Sequence, residues 1–188
     1  MEKWIRRLRI HENRLLIWAN RRLNHTFGFR FLHRWMSAIT HFGGATFTIC
    51  CSLFIALLGR GEISTVGWKC LAALALSHIP VALLKYKFKR LRPYQALPDV
   101  NIGLKPLADP SFPSGHTTAI FAFIVPIVIN ASIFPIFIIA LAIIIAISVA
   151  WSRMYLGLHY PSDVLVGGLI GTLTAMAVQY FWHTPTGN

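Results

Sequence analysis

The chain predicts an all-α fold, an integral membrane helical bundle of about five transmembrane helices with an amphipathic interfacial helix at its N-terminus. Three observations predict it. Of 188 residues, 55% are hydrophobic and only 13% charged, whereas a soluble domain carries nearer a quarter charged residues. Five apolar runs are long enough to cross a hydrocarbon core. The first 36 residues are instead basic and amphipathic, with nine Lys or Arg, too many for a crossing. Length suits one domain, divided into an arm (1–36), a membrane-embedded domain (37–182) and a short tail (183–188).

In the arm, Trp4, Ile5, Leu8, Leu15, Leu16, Ala19 and Leu23 share one helical face. Most charges lie opposite, with Glu12 and Arg22 as exceptions; this is the pattern of a helix lying among headgroups. The duller alternative is a solvated helix packed on the bundle. No stretch before the first apolar run reads as a cleavable signal peptide, because that run begins late and follows many arginines.

The first crossing is Ser37–Leu58, 22 residues with only His41 as a titratable group besides its cysteines. Gly59-Arg60-Gly61-Glu62 is a turn. Val66–Leu84 follows, with Lys69 near its start and able to snorkel toward that turn. His41 and His78 read as packing histidines. Residues 85–113 form a 29-residue polar connection with six cations (Lys85, Lys87, Lys89, Arg90, Arg92, Lys105) and five prolines, which resist continuous helix. So long a connection in a small protein points to function. The third crossing is Ser114–Ile133, and the fourth ends at Trp151 after a break near Ser132–Pro135. The fifth is Ser162–Trp182, where Gly167 and Gly171 are spaced for close helix packing. With five crossings, segments 85–113 and 152–162 share a membrane face, and the arm shares it too.

Net charge is +12, from 18 Lys and Arg against 6 Asp and Glu. In a membrane protein this favours anionic headgroups or a phosphorylated substrate. It argues against nucleic acid, since no basic stripe with interleaved aromatics lies away from the membrane-adjacent segments. Cys50, Cys51 and Cys70 lie inside apolar runs at no metal-ligand spacing, and read as free thiols.

Three clusters gather on the shared face. Lys85 stands seven residues before Arg92-Pro93. Pro113-Ser114-Gly115-His116 opens a helix, where free backbone N–H groups, a hydroxyl and a glycine make an anion cradle, or merely a cap. Ser152-Arg153 precedes His159 and Asp163, and Asp163 is the only acid after Asp109. An imidazole one helical turn from a carboxylate is a poised base or nucleophile.

Together these eleven residues, in order and at fixed spacing, resemble the three-part signature of the type 2 phosphatidic acid phosphatase superfamily, which also includes vanadium-dependent haloperoxidases and bacterial acid phosphatases. The resemblance covers residues 37–182, and the arm departs from it because many members have a further spanning helix there. It implies a hydrolase acting on lipid phosphates. His159 would attack phosphorus to give a phosphohistidine, and Asp163 would accept the hydrogen bond of the far ring nitrogen. Lys85, Arg92 and Arg153 would neutralise the phosphoryl oxygens, with Ser114 and the Gly115 N–H completing the cradle. His116 would protonate the leaving oxygen and then take a proton from water. No cofactor is implied and no metal, since the carboxylate cluster of a two-magnesium phosphatase is missing.

The substrate class so implied covers phosphatidic acid, phosphatidylglycerol phosphate and undecaprenyl diphosphate, drawn sideways from the bilayer, and the sequence does not choose among them. A phosphotransferase using the same histidine, a haloperoxidase and a non-catalytic lipid-phosphate carrier are the rival readings. The implied location is the cell membrane, multi-pass. Sixteen cations on the active face would put that face in the cytoplasm by the positive-inside rule, whereas many bacterial members work on the outer surface. Neither side nor oligomeric state is encoded in these motifs.

Overall fold

The computed structural model describes residues 2–20 and 27–183, and among them there are helices and turns but no strand. The helices are α1 (Glu2–Asn20), α2 (Phe27–Ile39), α3 (Ala45–Leu58), α4 (Glu62–Phe88), α5 (Pro93–Ala96), α6 (Gly115–Ile129), α7 (Ile136–Tyr155) and α8 (Pro161–His183), with 3₁₀ turns at Thr40–Gly43 and Ala131–Ile133.

Three stretches, Glu62–Ala96, Ile136–Tyr155 and Pro161–Trp182, are long and apolar enough to cross a bilayer. Two of the expected crossings differ. The first is a bent pair, Arg30–Gly43 and Ala45–Leu58, turned by 55°. The break falls at Gly43-Gly44, where backbones crowd: a Cβ on Gly43 would lie 2.6 Å from Val149 Cγ1 and 2.8 Å from the His116 carbonyl. The third, α6, has 15 residues, short of the roughly 20 that a straight crossing needs. It stops at Asn130, whose side chain donates to the Pro126 carbonyl at 2.7 Å, and the chain then breaks toward Pro135 as the sequence predicts.

Helix α6 is the central post, packed against α4, α7 and α8. Its closest neighbour is α8, through the two spaced glycines. A Cβ on Gly167 would meet the Ser114 carbonyl at 2.6 Å, and one on Gly171 the Thr118 carbonyl at 2.4 Å. That approach lets the Ser114 N–H donate to the Asp163 carbonyl at 3.0 Å. Large apolar side chains such as Leu83, Ile136, Phe137, Leu165 and Phe181 stay exposed around the bundle, as a lipid-facing surface requires.

The arm is two helices, and α2 runs past residue 36. Helix α1 packs part of its apolar face on the bundle: Leu16 and Ala19 are buried with Val100, Met154 and Tyr160. Asn20 is buried too, its Nδ2 donating to the carbonyls of Asn101 at 2.8 Å and Tyr155 at 2.9 Å. Leu15 and Trp18 remain exposed. The other members of the expected apolar face (the side chains of Trp4, Ile5 and Leu8, and all of Leu23) lie outside the described residues, as do Arg22 and tail residues 184–188.

Lys69 is buried, within electrostatic reach of Glu62 in the turn before it. Smaller expectations change: His41 and His78 are exposed rather than packed. The cysteines are free: the buried Cys70 thiol donates to the Phe123 carbonyl, while Cys50 is exposed and Cys51 half-buried.

Candidate active site

Chain reversals at the ends of α4 and α7 bring the three clusters together. Helix α4 ends when Lys89 adopts φ +43°, a left-handed conformation that few residues other than glycine take. The chain then turns back so that Arg92 caps α5, with Pro93 in its first turn, where proline costs no hydrogen bond. After α7 the backbone N–H groups of Leu158 and His159 both return to the Arg153 carbonyl. Gly157 makes that reversal at φ +70°, and a Cβ there would lie 2.5 Å from the Asn101 carbonyl. His159 and Arg153 are thus fixed side by side.

His159 is 2% exposed. Its Nδ1 lies 2.7 Å from the Ser111 carbonyl and its Nε2 3.2 Å from Arg92 Nη1. A carbonyl can only accept and a guanidinium can only donate, so the proton sits on Nδ1 and the Nε2 lone pair faces Arg92. The imidazole is therefore neutral with its nucleophilic nitrogen toward the cations. Burial, with Arg153 and Arg92 close by, pushes its pKa down to about 4 against the pull of Asp163. Free imidazole titrates near 6.5, so between those values the unfolded chain binds more protons and this group's contribution to stability falls as pH drops through that window. We expect an NMR titration to find His159 neutral at pH 6 and half-protonated near pH 4; a midpoint at or above 6.5 would contradict the buried, cation-flanked setting.

Asp163 remains paired with His159, but the Ser111 carbonyl is the nearer partner of Nδ1. Asp163 Oδ2 stands 3.6 Å from Nδ1. It also accepts from the Tyr160 N–H at 2.9 Å and from the Ser111 hydroxyl, and so holds the residue whose carbonyl orients the imidazole. The other oxygen, Oδ1, takes Arg90 Nη1 at 2.8 Å. Arg90 stacks over Tyr160, its guanidinium carbon 3.8 Å from the ring centroid, and its Nη2 donates to Glu12 of α1 at 3.0 Å. Glu12 also accepts from the Ser162 N–H at 3.0 Å. The arm thereby braces Asp163 through one intervening arginine.

Arg92 is 1% exposed. Besides His159 it donates to the Leu158 carbonyl at 3.0 Å, to the Asp109 carbonyl at 2.9 Å and to Asp109 Oδ1 at 2.8 Å. Lys85, on the last turn of α4, joins the same Asp109 carboxylate. Arg153 is 2% exposed; its Nη1 donates to Thr40 Oγ1 at 2.7 Å, while its Nε has no partner. An orphaned, buried guanidinium N–H is costly and fits an incoming anion.

Ser114 caps α6, its hydroxyl engaged with Thr117. The first N–H groups of a helix have no intrahelical acceptor, and a Cβ on Gly115 would meet open space, so the cradle mouth is clear. His116 lies within electrostatic reach of Arg153, His159, His41 and Arg92. Of the eight residues singled out from the motifs, Lys85, Arg92, His159 and Asp163 are linked by these contacts, Arg153 and His116 lie within electrostatic reach of His159, and Ser114 meets Asp163 through its backbone with Gly115 next in the chain. Asp109, Ser111, Arg90, Glu12 and Thr40 join them without having been singled out. Asp109 and Glu12 could have been found: with six acids among eighteen Lys and Arg, each one invites a search for its partner.

Residues 66–186 match the sequence profile of the PAP2 superfamily. The chain belongs to the PAP2 superfamily. It is 35% identical over 114 residues, 59% of this chain and 54% of the other, to the putative undecaprenyl-diphosphatase YbjG of Escherichia coli K12. Against the bacitracin transport permease protein BcrC of Bacillus licheniformis it is 36% identical over 96 residues, 50% of this chain and 43% of the other. The chain thus spans about half the length of these PAP2 relatives. The crystal structure of Aquifex aeolicus LpxE superposes with a TM-score of 0.76 at 26% identity, covering 89% of this chain and 93% of that one. Apolar helices and these relatives together mark a membrane protein.

Proposed function

We propose that this protein is a membrane-embedded, metal-independent phosphatase or diphosphatase that cleaves lipid phosphates through a phosphohistidine on His159. The observation that carries the reading is the burial of Arg92, Arg153 and a neutral His159 in one place, with Arg153 Nε unsatisfied. Buried cations need an anion, and a neutral imidazole among them is placed to attack it.

In this scheme the terminal phosphate enters between Arg92, Arg153, Lys85 and the N-terminus of α6. Arg92 Nη1 moves its hydrogen bond from Nε2 to a phosphoryl oxygen, which frees the lone pair. Nε2 attacks phosphorus, the bond to the lipid oxygen breaks, and His116, carrying a proton taken up as the phosphate dianion enters beside it, protonates the leaving oxygen. His116 next takes a proton from water, whose oxygen attacks phosphorus and breaks the P–N bond, releasing phosphate and restoring His159. The three cations offset the charge on the equatorial oxygens throughout. Asp163, Ser111 and Arg90 hold the imidazole in the reactive tautomer.

The lipid tail has a seat nearby. A cavity of about 510 Å³ between α3, α6 and α7 is lined by apolar side chains including Phe42, Phe47, Ile120, Phe123 and Leu141, with Cys50 and Cys51. It adjoins the Gly43-Gly44 bend, whose backbone packs on His116. A substrate lying there presents its headgroup to the cradle from within a multi-pass cell-membrane bundle.

The test is phosphate release by purified protein in micelles from phosphatidic acid, phosphatidylglycerol phosphate and undecaprenyl diphosphate, with added alcohols to detect transfer. Release from at least one lipid is expected, undiminished by excess EDTA and blocked by vanadate, which mimics the trigonal-bipyramidal phosphoryl group. Activity lost to chelator and restored by magnesium would refute the metal-free scheme.

A further inference from the structure

Asp109 holds two of the cations that the proposed function gives to the phosphate. One carboxylate oxygen bonds Arg92 and the other Lys85, while its own carbonyl takes Arg92 Nε. Spanning two cations with two oxygens of one anion is how a phosphate would use the same pair. The carboxylate is 50% exposed where the Arg92 side chain is 2% exposed, so it sits toward the mouth of the cradle. Burial raises its pKa, but the Lys85 bond and the Arg92 charge more than reverse this and hold it at about 2. It is an anion of charge −1 at every working pH.

We infer that Asp109 is a resident competitor of the substrate phosphate, holding Lys85 and Arg92 until a dianionic phosphate displaces it and keeping monoanionic phosphodiester headgroups out. The inference rests on the function proposed above. A site at a bilayer edge is bathed in phosphodiester headgroups, each carrying one negative charge. Exchanging the carboxylate for such a group gains no charge. A terminal phosphate carries between one and a half and two charges near neutral pH, roughly, as its second pKa lies near 6, so its exchange is favourable. An internal competitor raises the apparent Kd of every anion by the same factor. Weak diesters thereby fall out of the working range, and tight dianions stay within it.

A role confined to orienting Arg92 and Lys85 predicts the opposite sign, because removing the carboxylate would then loosen the cradle and weaken phosphate binding. The experiment measures inorganic phosphate binding to the purified full chain by calorimetry, for wild type, Asp109→Asn and Asp109→Ala. Both variants should bind phosphate about tenfold tighter or more, the factor by which an occupied seat lowers affinity when the resident is bound nine-tenths of the time. Phosphatidylglycerol in mixed micelles should inhibit turnover by both variants and spare the wild type. Phosphate binding that is unchanged or weaker in either folded variant overturns the inference. A second measurement needs no variant: a wild-type structure with vanadate bound should have the Asp109 carboxylate off both cations, and its persistence on Lys85 and Arg92 beside vanadate would also overturn the idea. A wild type that binds neither anion would instead refute the proposed phosphate site itself, and the inference with it.

Discussion

His159→Ala is expected to lower phosphate release from the best lipid substrate by about 10⁴-fold or more, the scale seen when the nucleophile of a cooperating set is removed. The rest of the cradle does not depend on this side chain: Arg92 keeps its bonds to the Asp109 and Leu158 carbonyls, and Arg153 keeps Thr40. Phosphate binding should therefore survive within a few-fold while turnover is lost. A P–N bond is labile in acid and stable in base, so wild-type protein quenched in alkali during turnover of a ³²P-labelled lipid should retain label, and the variant none. Sustained turnover in His159→Ala would remove the proposed nucleophile. Label that persists in the variant would place the covalent step elsewhere.

The sequence carried the fold class because hydropathy reports environment directly: runs of about twenty apolar residues have few alternatives to a bilayer helix. It carried less about where helices bend, since α3 and the 3₁₀ turn before it are divided by the approach of His116 and Val149 to Gly43, a tertiary event. The motif residues are legible by type and order, and His159 and Asp163 do pair, at 3.6 Å, yet the closer partner of the imidazole is not legible. One turn of helix separates residues four apart only if both are in the helix, and α8 starts at Pro161, after His159. Asp163 therefore shares its carboxylate with the Tyr160 N–H and Arg90. The nearer partner of Nδ1 is a Ser111 carbonyl, a group every residue carries and no side-chain pattern announces. Glu12 did leave a trace: it was a charge on the apolar face of the arm helix, and that face meets protein, where Ser162 and Arg90 receive it.

Arg153→Met should separate catalysis from stability. Losing one preorganised donor to the developing phosphoryl charge costs about 3–4 kcal/mol of transition-state stabilisation, or some 10²–10³-fold in kcat, and more where an arginine neutralises a transferring phosphate. Stability should move little or upward. The guanidinium is buried at 2% exposure with its Nε unpartnered, and removing such a desolvated charge in favour of an apolar side chain of similar volume is often neutral or stabilising. The main loss on that side is the 2.7 Å bond to Thr40, worth about 1–2 kcal/mol. Measuring kcat/KM beside the detergent melting temperature tests both halves at once. If activity and melting temperature fall together, and activity per folded molecule is unchanged, Arg153 is a structural arginine. If activity alone collapses, the protein tolerates a buried cation with an unpartnered Nε because the substrate phosphate satisfies it, and the cost of that burial is part of what draws the anion in.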